Sequence, residues 1–119
     1  MENLSTGSSI IPTAQMEGDA LVVCVRGEID LHNSPELRIE IFTLINRQRP
    51  RRLVLDLSQV PYMDSSTLAV FVEVLKRILK EGGKVFLAGL QPRVKGLIEI
   101  ARLSSIFGIC EDVQQALTE

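Results

Sequence analysis

Three short, nearly continuous apolar runs punctuate this chain: ALVVCVRGE at 20–28, RLVLDL at 52–57 and KVFLAGL at 84–90. Between them the apolar residues recur at helical rather than strand spacing, with Leu37, Ile41, Leu44 and Ile45 in the first interval and TLAVFVEVLKRILKE at 67–81 in the second. Buried strands that alternate with helices leave few topologies, because each helix must cross over, right-handed, onto one mostly parallel sheet.

The ends of these elements carry their own signals. Ser34 reads as a helix cap, Pro35 suits the first helical position, and Glu36 complements the positive end of the helix dipole. That helix stops before Pro50, and Gly82 and Gly83 close the next one. Pro92 opens a third helix carrying Val94, Leu97, Ile98 and Ala101, and IFGIC adds a short strand before a last helix over 112–117. At the other end, residues 10–16 form a strand broken by Pro12, joined by a turn at EGD to the first apolar run, which makes an antiparallel edge hairpin. Residues 1–9, small and polar, read as a flexible tail, with the domain proper over 10–119. The fold class is therefore α/β: a single domain with a mostly parallel sheet of four to five strands, an antiparallel edge hairpin and about four helices.

At 119 residues the chain has room for one core, and its 45% apolar content is enough to fill one. The formal net charge of −2 gives no general attraction to nucleic acid or anionic membranes. No apolar window is long enough to span a bilayer and the N-terminus lacks the order of a secretory signal, so a cytoplasmic protein is expected. Cys24 and Cys110 sit inside apolar runs, away from any metal-ligand spacing, and read as buried small hydrophobes.

In open parallel sheets, sites form where strands end and loops lead into helices. Two such loops are polar and acidic, GEIDLHNSPE and SQVPYMDSS, and neighbouring strands would bring Asp30 and Asp64 to one edge. Asp64 or Ser65 caps the helix that follows. A phosphate on a serine there would be held by the helix N-terminus while facing the charge of Asp64, and would oppose docking of a partner. On the helix itself Leu68, Phe71, Val72, Leu75 and Leu79 form an inward stripe, which Val70 and Val74 widen beside Thr67 and Ile78. That surplus reads either as a docking shoulder or as a helix wedged between two covered sides.

Other chemistries fit less well. His32 is the sole histidine, and neither serine lies in a G-x-S-x-G elbow, so a hydrolytic triad has little support. EGGKV joins a helix to a strand, the reverse of P-loop order. Asp56 lacks the acidic pair and lysine of a phosphoacceptor receiver domain and caps a turn instead. RQRPRR at 47–52 reads as a solvated loop by a helix C-terminus, with no aromatic residue nearby for stacking on nucleic acid.

The segments GEIDLHNSPEL, LVLDLSQVPYMDSSTLAVFV and GGKVFLAGLQPRVKGLIEIARLSSIFGI, in this order, resemble the STAS domain, and in particular the bacterial anti-sigma factor antagonists. The resemblance implies a partner switch. Such an antagonist, unphosphorylated, binds an anti-sigma factor that is also a serine kinase, and the sigma factor is released. Phosphorylation of the serine after the motif aspartate abolishes binding, and a metal-dependent serine/threonine phosphatase restores it. That serine is Ser65, and the implied partner-binding set is Asp30, Asn33, Asp64, Ser65, Ser66, Thr67, Val70 and Val74. Thr67 departs from the pattern, standing where the family usually carries a glycine or another small residue. A constitutive STAS subunit of a signalling or transport complex, without a phosphorylation cycle, is the alternative. Neither reading involves catalysis, a cofactor, a metal, nucleic acid or a membrane.

Overall fold

Parallel strands buried on both faces need helices on both sides, and the distribution of those helices follows from strand order. In the computed structural model, which describes residues 2–4 and 8–119, the sheet has the sequential order β1-β2-β3-β4-β5-β6. These are β1 (Glu2–Leu4), β2 (Thr13–Glu17), β3 (Ala20–Arg26), β4 (Arg52–Gln59), β5 (Lys84–Ala88) and β6 (Gly108–Cys110). The first three pair antiparallel and the last four parallel. Three successive right-handed crossovers in one direction place α1 (Ser34–Gln48), α2 (Ser65–Lys80) and α3 (Pro92–Ile100) on the same face. There they cover Leu21, Val23, Val25, Leu53, Leu55, Leu57, Val85 and Leu87 in the main core.

The opposite face is covered more thinly. Val22, Val54, Phe86 and Cys110 form a second, smaller core beneath α4 (Val113–Thr118), of which Ala116 is fully buried. Gly108 lies under the Phe86 ring, where a β-carbon would overlap it. Arg52 fastens α4: its guanidinium donates to the carbonyls of Ala116 and Leu117, each at 3.0 Å, and lies 5.3 Å from the centre of the Phe86 ring. One arginine of the basic run 47–52 is thereby a helix cap, and the run is not a single solvated loop.

The hairpin expected before the first apolar run is β2–β3, turning at Gly18 with φ 62°. One strand was not expected. Glu2–Leu4 lies in the presumed tail, yet pairs with β2 in the register Glu2↔Met16, and Leu4 packs against the main core. Met1 and Ser5–Gly7, the other part of that tail, lie outside the described residues. Ser8 Oγ then accepts hydrogen bonds from the N–H groups of Ile10 and Ile11 and leads the chain into the core.

Candidate functional site

The β3–α1 and β4–α2 loops are stitched together where the two strands end. Ile29 N–H donates to the Tyr62 carbonyl at 3.1 Å, Asp64 N–H donates to the Ile29 carbonyl at 3.2 Å, and Ile29 pairs with Met63 as an isolated bridge. Ile29 and Met63 are buried, which anchors both loops from below. Asp30 and Asp64 therefore reach the same edge, as the topology required.

Asp64 caps α2. Its Oδ1 accepts from Ser66 N–H at 3.0 Å, Thr67 N–H at 3.4 Å and the Ser66 hydroxyl at 2.5 Å. The carboxyl pKa is lowered from its ordinary value, most strongly by the Ser66 hydroxyl; partial desolvation opposes this, and the N–H groups of Ser66, Thr67 and Leu31 add to it. Leu31 belongs to the other loop, and at Asp64 the two loops are joined through the backbone, by its N–H to the Ile29 carbonyl.

The three consecutive hydroxyls after Asp64 differ sharply in environment. Ser65 is exposed, and its hydroxyl has no hydrogen-bond partner among the described residues. Ser66 is half-buried and doubly engaged, donating to Asp64 and accepting from Ser34 Oγ at 3.0 Å. Thr67 is fully buried and donates to the Ile29 carbonyl at 3.0 Å. Thr67 is therefore not a surface residue available to a partner.

Asp30 and Asn33 shape their own loop. Asp30 Oδ1 accepts from His32 N–H, Asn33 Oδ1 accepts from Asp30 N–H, both at 2.8 Å, and Asn33 Nδ2 donates to the Glu28 carbonyl at 3.0 Å. Asp30 stays exposed. Asn33, not Ser34, occupies the N-cap of α1; Ser34 is the first helical residue, and its hydroxyl points across to Ser66.

A family model for the STAS domain matches residues 12–116. The chain belongs to the STAS family. Among curated proteins, this STAS domain is 35% identical over 99 residues to the anti-sigma-B factor antagonist of Bacillus subtilis, covering 83% of this chain and 88% of that protein. It is 33% identical over 99 residues to the anti-sigma F factor antagonist of Paenibacillus polymyxa, covering 83% and 85%. A crystal structure of an anti-sigma factor antagonist from Mycobacterium paratuberculosis superposes with a TM-score of 0.80 at 28% identity, covering 88% of each chain.

Within the STAS domain, the position of α2 overturns part of the expected surface. Val70 and Val74, read as a contact shoulder, are buried at 7% and 0% exposure, together with Thr67 and Ile78. The reason is packing on α1, which lies along α2 far more closely than α3 does. Arg38 of α1 pairs with Glu73 of α2 and Arg77 of α2 donates to Asn46 of α1, closing that side from above. The apolar surplus emerges elsewhere on α2, where Leu68 and Val72 are half-buried and Leu79 is exposed.

The parts that two residues near the cap play carried no sequence signal. Leu31 is 74% exposed at the tip of the β3–α1 loop, an apolar residue between Asp30 and His32 in a segment with no periodicity. Ser34 was legible only as a cap, because a contact from one helix start to the next leaves no local pattern. The His32 imidazole makes no hydrogen bond to Ser65 or Ser66. Among the described residues no group of three His, Cys, Asp or Glu could hold a metal ion, and no helix is long and apolar enough to cross a membrane.

Proposed function

We propose that this STAS domain is an anti-sigma factor antagonist, a non-enzymatic cytoplasmic switch whose affinity for its partner is set by phosphate on Ser65. The observation that carries the reading is the cap of α2: of three adjacent hydroxyls, only that of Ser65 is exposed and unbonded, beside an ionised aspartate that joins the two edge loops. The antagonists to which the chain is about one-third identical support the partner class. In the unphosphorylated form Asp30, Leu31, Asp64 and Ser65 present a small, mixed apolar and acidic face to an anti-sigma factor that is also a serine kinase. Phosphate adds close to two negative charges next to Asp64, and like-charge repulsion with the cost of burying the dianion opposes docking. A metal-dependent serine/threonine phosphatase resets the switch.

The test is intact-mass and peptide mass spectrometry on the chain from its native cells, grown with and without stress. A single phosphate on Ser65 whose occupancy follows conditions supports the switch. Absence of phosphate under every condition refutes it and leaves a constitutive STAS subunit. Phosphate on Thr67 contradicts its burial and moves the acceptor.

A further inference from the structure

Ser65 and Ser66 are chemically equivalent and adjacent at the start of α2, so a kinase that reaches the cap meets both. What separates them comes from another element. Ser34, at the first position of α1 and only 3% exposed, lies with its Oγ 3.0 Å from Ser66 Oγ. Ser66 Oγ in turn lies 2.5 Å from Asp64 Oδ1.

The direction of this chain of hydrogen bonds is fixed by what each group can do. An ionised carboxylate only accepts, so the single proton of Ser66 goes to Asp64. The contact between the two serines then needs a donor, and Ser34 supplies it. The Ser66 oxygen is thereby held from two sides, against the cap and against the buried hydroxyl at the α1–α2 junction. Phosphoryl transfer requires the attacking oxygen in line with the leaving group and reachable from outside. Ser65 satisfies that condition, and Ser66 is held away from it.

Building on the switch proposed above, we infer that Ser34 is the positioning residue that makes Ser65, and not Ser66, the phosphate acceptor. Its hydroxyl acts at a distance of one helix, by keeping the neighbouring hydroxyl turned inward. Ser34→Ala leaves the Ser66 oxygen half-buried with an unsatisfied acceptor position, which water at the surface fills once χ1 rotates outward. Loss of one neutral hydrogen bond corresponds to a rise of up to about tenfold in the outward rotamer. Two hydroxyls are then offered where there was one. Ser34→Thr keeps the donor and preserves the selection.

The experiment expresses the full chain as wild type, Ser34→Ala and Ser34→Thr in its native cells, maps phosphate by peptide fragmentation, and confirms folding by the thermal midpoint. In parallel, the Asp64 carboxyl is titrated by carbon NMR in the purified, unphosphorylated proteins. The expected result is phosphate on Ser65 with at most a trace on Ser66 in wild type and Ser34→Thr, and a Ser66 share that rises by up to about tenfold in Ser34→Ala. The Asp64 titration in that variant moves up toward the ordinary carboxylate value, because the Ser66 hydroxyl is the largest cause of its depression. Phosphate confined to Ser65 in a folded Ser34→Ala protein overturns the role of Ser34 and leaves the switch intact. Phosphate mainly on Ser66 of the wild type overturns the inference at its root. No phosphate on any variant overturns the switch itself and acceptor selection with it.

Discussion

Thr67 stands where the resemblance implied a glycine or another small residue, and its burial turns that departure into a stability prediction. Thr67→Val preserves shape and helix propensity while removing the hydroxyl that donates to the Ile29 carbonyl at 3.0 Å. That carbonyl keeps a second donor, the Asp64 N–H at 3.2 Å, so no buried acceptor is orphaned. The expected loss is one buried neutral hydrogen bond, about 1 kcal/mol, or a fall of roughly 3–5 °C in the midpoint for a domain of this size. Thr67→Gly costs more. It forfeits the same bond, the burial of a methyl worth about 0.8 kcal/mol, and several tenths in helix propensity, for a total of about 2–3 kcal/mol. Urea denaturation with two-state fitting of wild type, Val and Gly variants measures the series. The predicted order is wild type, then Val, then Gly, with the urea slope unchanged. A Val variant equal to or more stable than wild type refutes the hydrogen-bond account. A Gly variant that gains stability refutes the burial of Thr67 altogether.

Ser65→Asp leaves the thermal midpoint nearly unchanged, because its side chain is exposed and unbonded, but weakens binding to an anti-sigma factor partner by about tenfold or more in calorimetric titration, while Ser65→Ala binds like wild type. Since the Asp64 carboxyl is depressed in the folded state, its contribution to stability is complete above the unfolded-state value and is lost as pH falls through the folded one; urea midpoints from pH 7 to pH 3 show this acid slope, and Asp64→Asn flattens it. Arg49 closes α1 in the left-handed region, φ 46° and ψ 57°, so Arg49→Gly stabilises the domain by about 0.5–1 kcal/mol in urea unfolding. Arg52→Ala removes the guanidinium that holds the end of α4 and destabilises by about 1–3 kcal/mol, with hydrogen exchange accelerated first in α4 and β6.

The layout was legible because it rests on periodicity and on few allowed connections. The runs around Val23, Leu55 and Leu87 could only be central strands, and the helices between them had to cross on one side. The cap at Asp64 was legible because a short acid before a helical run has one common use. What escaped the sequence depends on partners distant along the chain. Glu2–Leu4 has no strand pattern of its own and forms by backbone pairing to β2. The rotation of α2 escaped for a related reason. With apolar residues at 68, 70, 71, 72, 74, 75, 78 and 79, several faces satisfy the helical period, and only the neighbour decides which is buried. α1 packs along α2 and is latched to it by Arg38–Glu73, Val70 and Val74 are buried, and the surplus is left at Leu68, Val72 and Leu79.

The same logic explains why the candidate switch sits where it does. A helix start must satisfy orphan N–H groups, and Asp64 does so while ionised, which fixes a negative charge at the protein edge beside Ser65. Phosphate arriving beside it cannot take over the capped N–H groups of Ser66 and Thr67 without displacing that carboxylate. The cap is thus already occupied by an anion, and a second one is left facing outward into whatever docks there. A structural necessity of α2 and an electrostatic block on the partner are consequences of one aspartate. On this argument Asp64→Asn keeps an acceptor at the cap but removes the fixed charge. The penalty that phosphate on Ser65 imposes on partner binding then shrinks even though the phosphate remains, and calorimetry on the phosphorylated variant measures the difference. An undiminished penalty means that the phosphate acts by its size rather than by the charge it faces.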